Sequence, residues 1–145
     1  MPDGHTDYLE AIRKAFPRTW YHEKHRLLTW FPCGLLNEAF AHQIVQFVEL
    51  QEQQQDAPFD RYADFSGLTA IRLEFPQLIR IARRRHHAKQ PVKSAFYASE
   101  PVSAAVARTY ARQMEEAMIE VRAFHEKEAA AEWLEVPVDC LQAPQ

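Results

Sequence analysis

Seven histidines and two cysteines are the side chains of this 145-residue chain best suited to metal or nucleophilic chemistry. A zinc site needs three or four convergent nitrogen, sulfur or oxygen ligands. His22 and His25 stand three apart in a segment that reads as strand and turn, where a period of two sends them to opposite faces. His86 and His87 are adjacent at a helix end, and neither a His-x-x-x-His nor a His-Glu-x-x-His pattern occurs. No metal site and no cofactor are expected. Cys33, beside Gly34, could pair with a histidine as a nucleophile. No oxyanion-hole motif accompanies it, and a partly buried structural cysteine is the commoner case. Cys33 and Cys140 lack CxxC spacing and are too few for a disulfide framework, which points to a reducing, cytoplasmic setting.

Charge and composition subtract further classes. Lysine and arginine number 17 against 20 aspartates and glutamates, a formal charge of −3 that gives no general pull toward nucleic acid or anionic membrane. Three glycines are too few for phosphate-cradling loops, which need repeated positive-φ positions. The strongest local charge is the run Arg80 to Lys89. Basic residues complement a helix C-terminus, and the excess reads as a solvated or partner-facing helix end. Glu115, Glu116, Glu120, Glu126, Glu128, Glu132 and Glu135 make the C-terminal quarter acidic. Asp3, Asp7 and Glu10 interrupt the start of the chain where a signal peptide needs a basic, then apolar, stretch, and no apolar run approaches the roughly 20 residues of a membrane span.

The elements that would position these groups follow from periodicity. A short helix is expected after Asp7, ending at Pro17. Thr19 to His25 and Arg26 to Phe31 read as a hairpin turning at Glu23 to Arg26, with Gly34 marking the exit from its second strand. Asn37 caps a helix carrying Phe40, Ile44, Phe47 and Val48 on one side. Phe59 to Phe65 reads as a strand that breaks at Ser66-Gly67. A helix from Phe75 tolerates Pro76 in its first turn. Val92 to Ala98 is the next strand. A helix opening at Pro101 follows, with Val102, Val106, Thr109 and Gln113 as its expected inner face, and then come a strand over Ile119 to Phe124 and a helix over Glu126 to Val136. The order β-β-α-β-α-β-α-β-α implies a mainly parallel sheet with an antiparallel N-terminal hairpin. Residues 1–18 form an arm or short helix, 19–136 the domain and 137–145 a tail.

Three segments carry a family resemblance over about Trp20 to Val136. Tyr62-Ala63-Asp64-Phe65-Ser66-Gly67-Leu68-Thr69 resembles the strand exit of STAS-like domains related to the SpoIIAA anti-sigma factor antagonist. Arg108-Thr109-Tyr110 resembles a helix stretch of the same family. Val121-Arg122-Ala123-Phe124, with Glu128-Ala129-Ala130-Ala131-Glu132-Trp133-Leu134 after it, resembles the closing strand and helix. The resemblance implies an α/β domain with one sheet of four to five strands and helices mostly on one face. It also implies a phosphorylatable serine at the helix start after the strand exit. Here that place falls near Leu73 and Glu74, neither of which accepts phosphate, so Glu74 reads as a helix cap or as a constitutive anion. Ser66 and Thr69 are substitute acceptors, although turn chemistry accounts for Ser66-Gly67.

The leading functional reading is a non-catalytic STAS-like binding or regulatory module, expected to be a homodimer, recognising a protein partner through Ser66, Gly67, Thr69, Arg72 and Glu74. The second is a carrier of a small apolar ligand or lipid whose pocket is lined by the hairpin aromatics Trp20, Tyr21, Trp30 and Phe31. Those aromatics read equally as a dimer seam or as surface covered by the N-terminal helix. The third and weakest is an enzyme using Cys33 or a histidine.

Overall fold

The structure, a computed structural model, describes residues 18–143. The helix expected before Pro17 lies outside the described residues. Strands β1 (Thr19–His22) and β2 (Leu27–Trp30) are joined by one 3-10 turn over Glu23–His25. Arg26 closes it in the left-handed region at φ 48°, its N–H donating to the Glu23 carbonyl at 3.3 Å. The chain then runs through β3 (Gly34–Asn37), α1 (Glu38–Gln54), β4 (Asp60–Asp64), β5 (Leu68–Arg72), α2 (Phe75–Arg85), β6 (Val92–Tyr97), α3 (Pro101–Gln113), β7 (Ile119–Phe124) and α4 (Lys127–Leu134).

The main sheet has the order β1-β2-β4-β6-β7. β1 is antiparallel to β2, and every other neighbour pair is parallel. Because the order advances one way from β2 to β7, right-handed crossovers place α1, α2 and α3 on the same face. That face buries Leu28, Trp30, Ala63, Phe65 and Phe96 against the helices. Side chains one residue out of phase point the other way, as a pleated strand requires: Leu27, Tyr62 and Ala95 pack with Ala130, Ala131 and Leu134 of α4.

Helix starts follow local chemistry. The Asn37 side chain accepts the Phe40 N–H at 2.9 Å. Glu74 stands at the α2 N-cap in a capping box with Gln77, whose side-chain oxygen accepts the Glu74 N–H at 2.9 Å. The expected cap role of Glu74 is therefore the one its contacts display.

Three features depart from the sequence expectation. Gly34 does not leave a strand; at φ 84° it opens β3, which pairs in parallel with β5 as a separate two-stranded sheet. Both strands are short, four and five residues, and alternation over so few positions does not flag them. On α3 the buried side chains are Ser103, Ala104 and Ala107, while Val102 is 64% exposed. Small residues let α3 approach β7 closely, and that gain outweighs the burial of the larger Val102 face. Finally, residues 137–143 do not hang free: a 3-10 turn over Val138–Leu141 seats Leu141, fully buried, in the cluster beneath α4.

Gly67 lies where two segments cross. A Cβ there would stand 2.9 Å from the Pro32 carbonyl oxygen and 3.1 Å from Cys33 Sγ. Gly67→Ala is expected to lower stability by about 1–2 kcal/mol through this overpacking, measured as a reduced urea midpoint at unchanged m-value.

Candidate functional site

Period-two alternation along β4 points Arg61, Ala63 and Phe65 at the helices, which places a guanidinium where an apolar side chain would be usual. Arg61 is only 3% exposed, and Arg85, from the last turn of α2, is 5% exposed. A charge so buried needs partners. Arg61 Nη2 donates to Glu52 Oε2 at 2.8 Å, and Arg85 grips the same carboxylate with both terminal nitrogens, at 3.2 Å to Oε1 and 2.7 Å to Oε2. Glu49, one helical turn earlier on α1, accepts from Arg84 at 2.6 and 3.3 Å and lies 3.6 Å from Arg85. Burial opposes ionisation of Glu52, yet the hydrogen bonds and charges of Arg85 and Arg61 outweigh it and hold the carboxyl below its ordinary value. Burial pulls the Arg61 guanidinium down, and Glu52 offsets this only in part. Burial likewise pushes the Tyr110 hydroxyl up to about 12.

This cluster divides two spaces. On its inner side an apolar cavity of about 100 Å³ lies between the sheet and α1–α3, walled by Val45, Phe65, Ile81, Phe96 and Ala107 among others. On its outer side a polar groove of about 610 Å³ opens between the C-terminal ends of α1 and α2. Arg61 and Arg85 line both, whereas Glu49 and Glu52 line the groove alone. The charged groups facing the inner cavity are thus two guanidiniums with their counter-ions behind them. Two buried donors among its lining residues, Trp30 Nε1 and Arg61 Nε, have no hydrogen-bond partner. Each such group ordinarily costs about 1–3 kcal/mol when left unmade.

Of the four hairpin aromatics, the structure brings Trp30 alone to this cavity. Trp20 and Phe31 pack edge-to-face, with centroids 6.2 Å apart, and belong to the cluster on the opposite face. Tyr21 stands edge-on to Phe59 at 5.7 Å. The segment expected to recognise a partner runs along β5. Ser66 donates to the buried Asp64 carboxylate through both its N–H, at 2.9 Å, and its hydroxyl. Asp64 is paired with Lys127 at 3.2 Å, so Ser66 fixes the turn after β4. Thr69 and Arg72 are exposed, as is Glu74, and Leu73 next to them reaches the cavity wall.

The basic run is largely matched within the fold. Arg80 pairs with Glu38 at 2.6 Å, and Arg84 and Arg85 meet Glu49 and Glu52, so the basic side of α2 lies along the acidic side of α1. His22 Nε2 is 3.1 Å from Thr29 Oγ1, with its pKa lowered by burial and by His25, while His86 Nε2 is 2.7 Å from the Gln113 carbonyl. Cys33 Sγ accepts from Arg18 at 2.8 Å and donates to the Phe31 carbonyl at 3.5 Å. Among the described residues no three metal-ligating side chains converge, and no helix is long and apolar enough to cross a membrane.

The functional groups missed at the sequence level are Arg61, Arg85 and Tyr110. A signal for Arg61 was present: in Phe59 to Phe65 the alternation that sends Phe59, Ala63 and Phe65 inward sends Arg61 with them. The chain matches no family model, no curated protein and no solved structure.

Proposed function

We propose that this chain is a binding module that acts by holding a small apolar molecule in the cavity between its sheet and α1–α3. The observation that carries this reading is the cavity itself, apolar on its walls, with Arg61, Arg85, Ser94 and Tyr110 as the few polar side chains among its lining residues. Sites for small molecules have this character, predominantly apolar with a few placed polar groups. A volume of about 100 Å³ is smaller than the about 150 Å³ that admits benzene, so a long-chain lipid is outside its range. The STAS-like resemblance belongs to the same proposal. Alternation of parallel strands and helices supports it, with Leu73 and Glu74 standing where an antagonist would carry its phosphoacceptor.

Thermal shift with 2-methylpropan-1-ol as a neutral apolar probe tests the reading. At ten times its Kd a ligand stabilises by about 1.4 kcal/mol, which raises Tm by about 3–4 °C in a domain of this size. Ala107→Leu, filling the cavity from α3, is expected to abolish that rise. An equal rise in both proteins would place the probe elsewhere and defeat the proposal.

A second reading is favoured by a different observation. Phe75 is 54% exposed and Val102 64% exposed, at the first turns of α2 and α3, and Leu35 of β3 is also exposed. These residues accompany β5 at the carboxyl edge of the sheet, which supports the Ser66 to Glu74 region as a homodimer seam. Sedimentation velocity is expected to give a dimer that Phe75→Asp with Val102→Asp dissociates, and a wild-type monomer at tens of micromolar would dismiss the seam.

A further inference from the structure

We infer that the cavity takes a short branched aliphatic alcohol, its hydroxyl shared between Ser94 Oγ and the Tyr110 hydroxyl. The inference rests on the reading of the cavity as a ligand site and names the chemistry of the ligand. Alternation along β6 turns Val92, Ser94 and Phe96 toward the helices, while Ala95 joins the cluster beneath α4. Ser94 is 7% exposed, lines the cavity and does not line the groove. Tyr110 reaches the same space from α3, its ring edge-on to Phe96 with centroids 5.6 Å apart. Arg61 stands opposite Ser94 in the β4–β6 ladder, and the Tyr110 hydroxyl lies within electrostatic reach of Arg61 and Arg85, so both hydroxyls stand at the same polar end. Among the described residues neither hydroxyl has a hydrogen-bond partner. Neither is sealed from its surroundings as Trp30 Nε1 and Arg61 Nε are. Buried polar groups are ordinarily paired, so open hydroxyls at the wall of an apolar space are left for a ligand to complete.

The groups still unengaged fix the polar part of the ligand. Arg61 Nη2 and both terminal nitrogens of Arg85 hold Glu52, so the fork that would grip a carboxylate is occupied. An ammonium would face two guanidiniums with no carboxylate on the wall. An uncharged oxygen is left, and each protein hydroxyl both donates and accepts. A ligand hydroxyl donates to one and accepts from the other, whereas a carbonyl only accepts. Volume sets the carbon skeleton: beside the about 150 Å³ that admits benzene, about 100 Å³ suits about four or five non-hydrogen atoms.

The probes are 2-methylpropan-1-ol and 2-methylpropane-1-thiol, which share a skeleton and differ in that the thiol is only a weak donor and acceptor. Titrations of 15N-labelled full chain at neutral pH follow the amide resonances of β6 and α3 in the wild type, Ser94→Ala and Tyr110→Phe. Each variant removes a single hydroxyl and is checked for folding by circular dichroism. Each is expected to raise the half-saturation for the alcohol about fivefold, the worth of one hydrogen bond, and that for the thiol less than about twofold. Alcohol binding unchanged in both variants, or alcohol and thiol weakened alike, would overturn this inference while leaving the cavity reading intact. Isobutyrate half-saturating below the alcohol in the wild-type chain would overturn it too, by showing that the site prefers an anion. Failure of all three to shift any resonance of the cavity wall, the alcohol at tens of millimolar, would remove both.

Discussion

Glu52→Gln is expected to destabilise the fold by about 3 kcal/mol at neutral pH. The change leaves Arg61 and Arg85 buried with no carboxylate between them, and breaking a buried pair by removing one partner costs about 3–5 kcal/mol. Glu52 retains some contact with water at the groove, which argues for the lower end of that range. The same residue sets a pH dependence. Its carboxyl is held below the ordinary 4.5 when folded, so the unfolded chain binds this proton more readily. Its stabilisation is fully present above about pH 4.5 and fades as the pH falls through the lower folded value. Urea unfolding across pH 7 to 3 is expected to show the wild type losing stability over that interval and Glu52→Gln losing less. Equal slopes would show that Glu52 carries no linked proton. Adding Arg61→Met to Glu52→Gln is expected to recover part of the loss, because the guanidinium left without a carboxylate is then gone, while Arg85 keeps Glu49 at 3.6 Å.

Leu141→Ala is the second large effect, at about 3 kcal/mol. Leu141 has no exposed surface and sits in the cluster of Leu27, Phe31, Tyr62, Ala95 and α4. Leucine-to-alanine changes at such sites cost about 2–5 kcal/mol through lost transfer energy and the space left behind. Tyr62, its neighbour in that cluster, is fully buried with its hydroxyl turned toward Asp64, and the fit around it gives the site little freedom to collapse. A denaturation midpoint within error of the wild type would mean that residues 137–143 fold independently of the core.

These two residues also mark the boundary of what the sequence discloses. Periodicity locates the parallel strands of the main sheet and all four described helices, because each places several side chains against one layer. Leu141 was invisible to that logic: an isolated leucine after Pro137 belongs to no repeat, and only the completed sheet gives it a surface to meet. The inner face of α3 was misread for a related reason. Hydrophobicity favours Val102 and Val106, whereas close approach to β7 favours Ala104 and Ala107, and spacing alone does not say which criterion prevails. The candidate site is legible in the sequence at Trp30, one of the four hairpin aromatics expected to line a pocket, but its polar end is not. In the sequence Arg85 falls within a basic helix end, and the partner that draws it inward, Glu52, stands 33 residues away on another helix. β3 and β5 pair across a similar separation, too short to announce themselves and fixed by neighbours rather than by pattern.

The one-way strand order has a consequence for how the chain is made. Each parallel strand after β2 joins the edge formed by the strand just before it in the main sheet. During synthesis from the N-terminus every new strand therefore finds its partner already in place, and the separation to be closed is a single crossover. The growing edge is always the most recent strand, and β7 is where growth stops. Its outward residues Glu120 and Arg122 are exposed and pair with each other at 3.0 Å. Alternating opposite charges on a terminal strand discourage addition of another chain, so the last strand is both the finish of assembly and the guard on an otherwise open template.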